Sequence, residues 1–496
     1  MGKLAGLLRE PPISGSISGV PFDEHDSMNM IQRIFALTAV AALSVATSPY
    51  LHAQAGGGNN NQTTSLIGQP IAGIDVDATG VLRVKQFDPR VAVQRFEAAK
   101  AQRGAGEANV MQPSKLRKIS LNRLEAAIAD RMAAGQSIED EMKALAGLTA
   151  VEYVFYYPET QDIVIAGPAE GFFADPTDRL IGMETGRPVV LLEDMVTAMR
   201  AYAPGQKATS VISVSIDPTT EGLQAMQNFL SSVRGRVQPS DANRLAMGLK
   251  NNLGLQTVTF QGIPTDTHFA RVLVEADYRM KLVGIGLEKL PVRLQSYVDR
   301  ASPASVAANA MERWYFQPNY DGVAVSEDGL AMKIKERGVQ LVGANERVAA
   351  GGQRVKGGRV NAASQAFCRD FTENFNLIAS RVRIYGELRQ LIDVAIAAAY
   401  IQEQDFYGQA SWDASVLMDE SKVSVETYTS PEQVETAVNA IWKGNTLMTP
   451  LGGGVQMQPR IALSKENLKI DANGENVQAK QSAGPADLAN GQWWWD

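Results

Sequence analysis

The chain has 496 residues, 45% of them hydrophobic and 20% charged, with a net charge of −7. That is ordinary globular composition with room for two to four domains. The acidic balance disfavours a nucleic-acid role, because binding phosphate needs a basic face. One cysteine excludes an internal disulfide framework and any multi-cysteine zinc site. Three histidines, two of them in the leader described next, exclude a multi-histidine metal site in the processed chain. No cofactor motif is present: no Walker loop, no G-x-G-x-x-G at a strand–helix junction, no EF-hand loop and no G-x-S-x-G.

Residues 1–55 read as a leader with a signal peptide. Ile34–Thr47 is an apolar run too short for a typical membrane span, Arg33 precedes it, and Ala53-Gln54-Ala55 is a small-x-small cleavage site. Residues 1–27 are long and acidic for the positive end of such a leader, which points to Met28 or Met30 as the start. The expectation is cleavage after Ala55 and export to the periplasm, cell envelope or medium. Residues 56–68 form a flexible polar spacer.

The first folded part, 69–147, reads as a hairpin plus a helical subdomain. Asp75, Asp77 and Gly80 place a tight turn around D-A-T-G. Pro89–Lys100 is helical, and a second helical region follows Pro113 and Ser114. Ser120 caps LNRLEAAIADRMAAG, which Gly135 stops.

The segment 148–300 reads as an α/β core. Val151–Ala166 is a hairpin around P-E-T-Q, and Tyr153, Tyr156 and Tyr157 fit strands as well as they fit a sugar platform. The long loop from Gly171 to Val190 offers Asp175, Asp178, Glu184 and Arg187 as site candidates, since long irregular loops often carry function. A helix LLEDMVTAMRAY follows, then the strand Thr209–Asp217, a helix after Pro218, a helix capped by Ser240 and closed by Gly254, and the strand QTVTFQGI.

The stretch Ile263–Lys289 is the most strongly patterned. Asp266 or Thr267 caps a helix whose Phe269, Val272, Leu273, Ala276, Met280 and Val283 make one apolar stripe. Glu275–Arg279 and Asp277–Lys281 are acid-first pairs of the kind found on exposed helices, and Gly284 and Gly286 permit a reversal. His268 is the single histidine beyond the leader. It is a candidate general base, with Asp266 or Glu275 orienting it; the plainer alternative is a first-turn histidine packed beside a core helix.

Thr267–Glu288, reading THFARVLVEADYRMKLVGIGLE, resembles the signature of a family of exported bacterial proteins known only as a domain of unknown function. RWYFQPNYDGVAVSEDGLAMKIKERGVQLVG from Arg313 and ELRQLIDVAIAAAYIQ from Glu387 resemble that family's later blocks. The resemblance runs from about Gln69 to about Gln404. It implies export and a shared fold, and it assigns no activity and no catalytic residue.

Downstream, ASPASVAANA is a small-residue linker, and 311–348 reads as a β-meander with tight turns at Asp321-Gly322 and Asp328-Gly329. Trp314, Tyr315 and Phe316 read as core aromatics, with a carbohydrate platform as the alternative. Ala349–Gly358 reads as a mobile basic loop. The segment 360–404 is a helical pair, and its apolar second helix carries Asp393, which argues against a membrane span. Cys368 sits between apolar neighbours on a helical pattern and is expected to be buried. A small C-terminal α/β segment, 405–470, holds a strand SKVSVETY and a helix PEQVETAVNAIW. The segment 471–496 reads as a disordered tail ending in Trp493, Trp494 and Trp495, whose exposure would suit a docking role.

The expected class is therefore α+β or mixed α/β. The leading function is a non-enzymatic exported structural or interaction protein of the envelope or medium, with an envelope protein or glycan as partner. The alternative is an envelope-polymer hydrolase using paired carboxylates, with His268, Asp266, Glu275 and Glu184 as candidates. A deep cleft with converging acids would favour the hydrolase, and a flat apolar or aromatic face would favour docking.

Overall fold

A computed structural model describes residues 71–86, 94–95, 97–98, 101, 110–233, 238–302, 310–318, 323–334, 338–348, 354–356, 361–439, 441–443, 446–448, 454–489 and 491–496. The expected leader, spacer, Ala55 cleavage site, R-G-A-G-E break and Asp321-Gly322 turn lie outside these residues. So do most of the 301–310 linker and all but a few positions of the Pro89–Lys100 helix.

Two large sheets carry the fold. The first has nine strands in the order Ile71–Val76, Val81–Gln86, Gln433–Glu435, Leu255–Gln261, Ile212–Pro218, Gly454–Met457, Ala310–Pro318, Val339–Val348 and Arg354–Lys356. The second has seven, in the order Leu468–Ile470, Val323–Val325, Ala331–Ile334, Tyr153–Tyr157, Asp162–Ala169, Ser114–Ser120 and Trp494–Trp495. Most pairings are antiparallel. The parallel ones join Gln433–Glu435 to Val81–Gln86, Gly454–Met457 to Ala310–Pro318, and Leu468–Ile470 to Val323–Val325. With helices packed on these sheets, the class is α+β.

Three mutually packed helices form the bridging group between the sheets: α1 (Leu192–Ala201), α2 (His268–Gly284) and α3 (Arg383–Glu403), with α2 on the first sheet, α3 on the second and α1 on both helices. Helix α2 packs on the Ile212–Pro218 strand, and α3 packs on α1, α2 and the Tyr153–Tyr157 strand. Both α2 and α3 are enclosed around their whole circumference. Every residue from Val272 to Gly284 and from Ile384 to Ile401 is buried. Among the described residues no helix is long and apolar enough to cross a membrane.

Local signals hold where they are strong. At the first hairpin Asp77 Oδ1 accepts the Thr79 and Val81 N–H groups at 2.9 and 3.1 Å, and Gly80 turns the chain at φ +76°. This is the turn chemistry expected of an aspartate in the D-A-T-G stretch. Ser120 caps its helix by accepting the Arg123 N–H, and Thr267, of the two candidates, caps α2 by accepting the Ala270 N–H. Trp314 and Phe316 are fully buried, with Trp314 edge-on to Tyr297 and Phe367. Cys368 is buried.

Several expectations are corrected. Ser114–Ser120 is a strand, although Arg117 and Lys118 hide its alternation; both are 0% exposed. The helix after Ser240 starts at Ala242 with Asp241 at its N-cap, because Pro239–Asp241 forms a 3-10 turn. The meander splits: Ala310–Pro318 and Val339–Val348 pair in the first sheet, while Val323–Val325 and Ala331–Ile334 pair in the second. Of the basic loop, Arg354–Lys356 is described, as a strand on Val339–Val348. SKVSVETY has no regular structure. PEQVETAVNAIW supplies the strand Gln433–Glu435, which fills the gap between Val81–Gln86 and Leu255–Gln261. The Glu275–Arg279 and Asp277–Lys281 pairs are buried, so they are core ion pairs rather than surface ones.

The largest correction concerns the tail. Residues 471–496 form a helix, Glu475–Gln481, and a closing strand, Trp494–Trp495, paired with Ser114–Ser120. Trp493 and Trp495 are 6% exposed, so they are internal packing groups and no exposed docking motif. Two buried cations explain the order. Lys118 Nζ donates to the carbonyls of Lys480 and Ala483 at 3.1 and 2.6 Å. Arg117 bonds the Asp496 carboxylate at 2.8 Å and lies 4.5 Å from the Trp494 ring centre. Without the tail, both charges would lose partners that their burial requires.

Candidate functional site

The bridging helices enclose a cavity of about 710 Å³. Its walls come from the start of α1, the first turns of α2, Glu387 of α3, the first hairpin, the Thr177–Leu180 turn and the irregular segment around Val423–Tyr428. Gly73 matters to this assembly. A Cβ there would sit 2.9 Å from Arg179 Nη1, so glycine lets the hairpin close over the guanidinium.

His268 opens α2 and points Nδ1 at Asp194, 3.0 Å from each carboxylate oxygen. The imidazole is 17% exposed and the carboxylate 8%. Burial pushes the imidazole pKa down, but the Asp194 charge and hydrogen bond, then Glu193 and Glu387, outweigh it and push it up to about 10. His268 is thus a charged imidazolium at neutral pH.

Glu193 lies beside this pair and accepts the Tyr428 hydroxyl at 3.1 Å. Burial raises its pKa, His268 opposes that, and the Asp194 charge adds to it. Tyr428 is held by its own N–H on the Asp266 carbonyl and lies under Arg271, whose guanidinium is 5.1 Å from the ring centre. Arg271 also donates to the Ile74 carbonyl at 3.2 Å.

Arg179, Glu275 and Glu387, which also line the cavity, belong to an alternating ion chain. Arg179 binds Glu387 at 2.9 Å and Glu275 at 2.6 Å; Arg279 binds Glu275 at 3.2 Å and Glu288 at 2.7 Å. Against the pull of burial, Arg179 and Arg279 lower the Glu275 pKa, whereas burial prevails at Glu387 and raises it. Such a chain is rigid because each end would strand a buried charge if it moved.

Of the sequence candidates, His268 and Glu275 line the cavity. Asp266 is not among the lining residues and only accepts the Tyr428 N–H at its carbonyl, and Glu184 lies elsewhere, donating its N–H to Glu170. The group orienting His268 is therefore Asp194, and neither Asp266 nor Glu275. Asp178 also lines the cavity, while Asp175 pairs with Arg383. Asp194, Glu193, Arg179, Arg271, Glu387 and Tyr428 were not anticipated. The available signals were an adjacent Glu-Asp pair opening an apolar helix, and a Glu inside the apolar run of α3. Among the described residues no group of three or more His, Cys, Asp or Glu could hold a metal ion.

The central block of this chain has a counterpart among known families. Residues 214–297 match the family described as Protein of unknown function (DUF1598). The match covers most of the Ile212–Pro218 strand, the Leu255–Gln261 strand and the whole of α2, and it supports the resemblance read from Thr267–Glu288. It brings no activity with it. No curated protein and no solved structure matches the chain.

Proposed function

We propose that the chain works outside the cytoplasm, in the cell envelope or the medium, as a non-enzymatic binding module, and that the cavity is its ligand site. Export rests on the Ile34–Thr47 run and the Ala53-Gln54-Ala55 motif. The binding role rests on one observation above others: the charged walls are paired before any ligand arrives. His268 is committed to Asp194, and Arg179 to Glu275 and Glu387. A wall fixed in this way costs little reorganisation on binding. The aromatic candidates for a sugar platform, Tyr153, Tyr156, Tyr157, Trp314, Tyr315 and Phe316, do not line the cavity. That favours a small polar ligand over a polymer.

The hydrolase reading keeps one supporting observation. Glu193 is a cavity carboxyl with a raised pKa, a property suited to a general acid. Against it, an imidazolium titrating at about 10 is a poor base at neutral pH, and Glu275 and Glu387 are bound to arginine. Calorimetry and mass spectrometry of the processed chain with envelope polymers and small polar compounds separate the readings. Saturable binding without product supports the binding module. Product formation abolished by Glu193→Gln supports the hydrolase.

A further inference from the structure

The inner wall of the cavity carries unbalanced charge. Among the described lining residues, Glu193, Asp194, Glu275 and Glu387 stand against Arg179, Arg271 and the protonated His268. Asp75, Asp178, Lys85 and Lys143 line the cavity too, with Asp178 paired to Arg95 and Lys143 to Asp140. Arg279 stands outside the cavity lining and divides itself between Glu275 and Glu288, so it does not offset Glu387.

The inner cations already have work. His268 holds Asp194, Arg179 holds two glutamates, and Arg271 covers Tyr428 and the Ile74 carbonyl. Glu193 takes its hydrogen bond from a neutral phenol and shares the His268 and Arg271 charges with their other partners. A half-buried carboxylate supported in this way is costly to ionise. It can take up a proton or accept a cation from outside.

We infer that the cavity binds a small organic cation, and that the cation's ammonium or guanidinium group pairs with Glu193. This rests on the binding role proposed above and names its ligand class. The volume fits an organic molecule. A bare metal ion would want several oxygen or nitrogen ligands together, and the described residues present no such group. Leu192, Val272 and Val425 line the same space and would cover an aliphatic body. A proton and a cationic ligand compete for Glu193. The groups facing it are Asp194 on α1, His268 and Arg271 on α2, and Tyr428 on the irregular segment. Of these, His268 titrates far above neutrality, so binding strengthens as pH rises from acid toward neutral and Glu193 sheds its proton.

The test is calorimetry on the full processed chain with matched probes: butylammonium, 1,4-diaminobutane and agmatine as cations, butyrate as anion, butanol as neutral. At least one cation binds and the other two probes do not. Glu193→Gln weakens binding roughly tenfold or more and flattens its pH dependence. Glu184→Gln, which removes an exposed carboxylate away from the cavity, retains binding. Thermal melts confirm that both variants are folded. Butyrate or butanol binding as tightly as the cations would overturn the ligand class and leave the binding role standing. Cation binding indifferent to Glu193→Gln would overturn the pairing. Heat from no probe, with the His268 and Glu193 NMR signals unmoved by all of them, would count against both the cation and the binding role.

Discussion

His268 keeps its proton because carboxylates from α1 and α3 surround a ring that burial alone would leave neutral. The consequence for stability has a definite sign. The folded pKa of about 10 exceeds the ordinary value of 6.5. The contribution of the charged ring is therefore complete below pH 6.5 and is lost as pH rises through about 10. His268→Gln should cost about 3–5 kcal/mol in acid and neutral solution, because Asp194 is left buried without its counter-charge. Urea titrations at several pH values check this: the gap between wild type and variant narrows toward pH 10. The histidine was visible in the sequence because it stands alone there beyond the leader. Its partner was invisible, because Asp194 lies 74 positions away and nothing in LLEDMVTAMR says which helix its acids will face.

At the scale of elements, α2 shows how a legible helix conceals its environment. The Thr267 cap, the three-and-four apolar spacing and the acid-first pairs all read correctly as helix. They read wrongly as a helix with a solvent face, because Glu275, Asp277, Arg279 and Lys281 are buried and paired. Gly284 has a packing reason. A Cβ there would fall 2.4 Å from the Trp314 ring. Gly284→Ala should therefore destabilise by about 1–3 kcal/mol, since a rigid indole inside a filled core has little room to give. A lower urea midpoint with an unchanged slope is the expected result. The opposite error occurs at PEQVETAVNAIW. Its spacing suits a helix, but an open place between two strands recruits Gln433–Glu435 as a third. Short segments have weak preferences that tertiary pairing readily overrides.

Across the whole molecule, the last strand completes the second sheet. Trp495 packs with Phe155, Tyr157 and Val164 and donates its indole N–H to the Ala483 carbonyl at 3.2 Å. Trp495→Ala should cost about 3–5 kcal/mol, the range for emptying a buried aromatic site. Removing residues 488–496 should lower the melting temperature further, because it also takes Asp496 from Arg117 and strips an edge strand from Ser114–Ser120. Thermal denaturation of the two variants beside wild type gives the ordering. A truncated chain that melts like wild type would show that the tail is no part of the packed structure.

What the sequence determined by itself was local and compositional. Asp77 and Gly80 set a turn, Ser120 and Thr267 set helix starts, and alternation at Val151–Ala166 set a hairpin. The scarcity of cysteine and histidine closed off whole chemistries. These depend on atoms within a few residues of each other, or on counts. The tertiary structure decided everything that depends on distant partners. It gave Arg117 and Lys118 their acceptors from the last residues of the chain, and so made a strand of a charged segment and an ordered element of a polar tail. It also brought Glu193, Asp194, His268, Arg179 and Glu387 around one cavity. Buried charge is affordable only where a counter-charge or hydrogen bond meets it, and the chain order carries no record of where that partner lies.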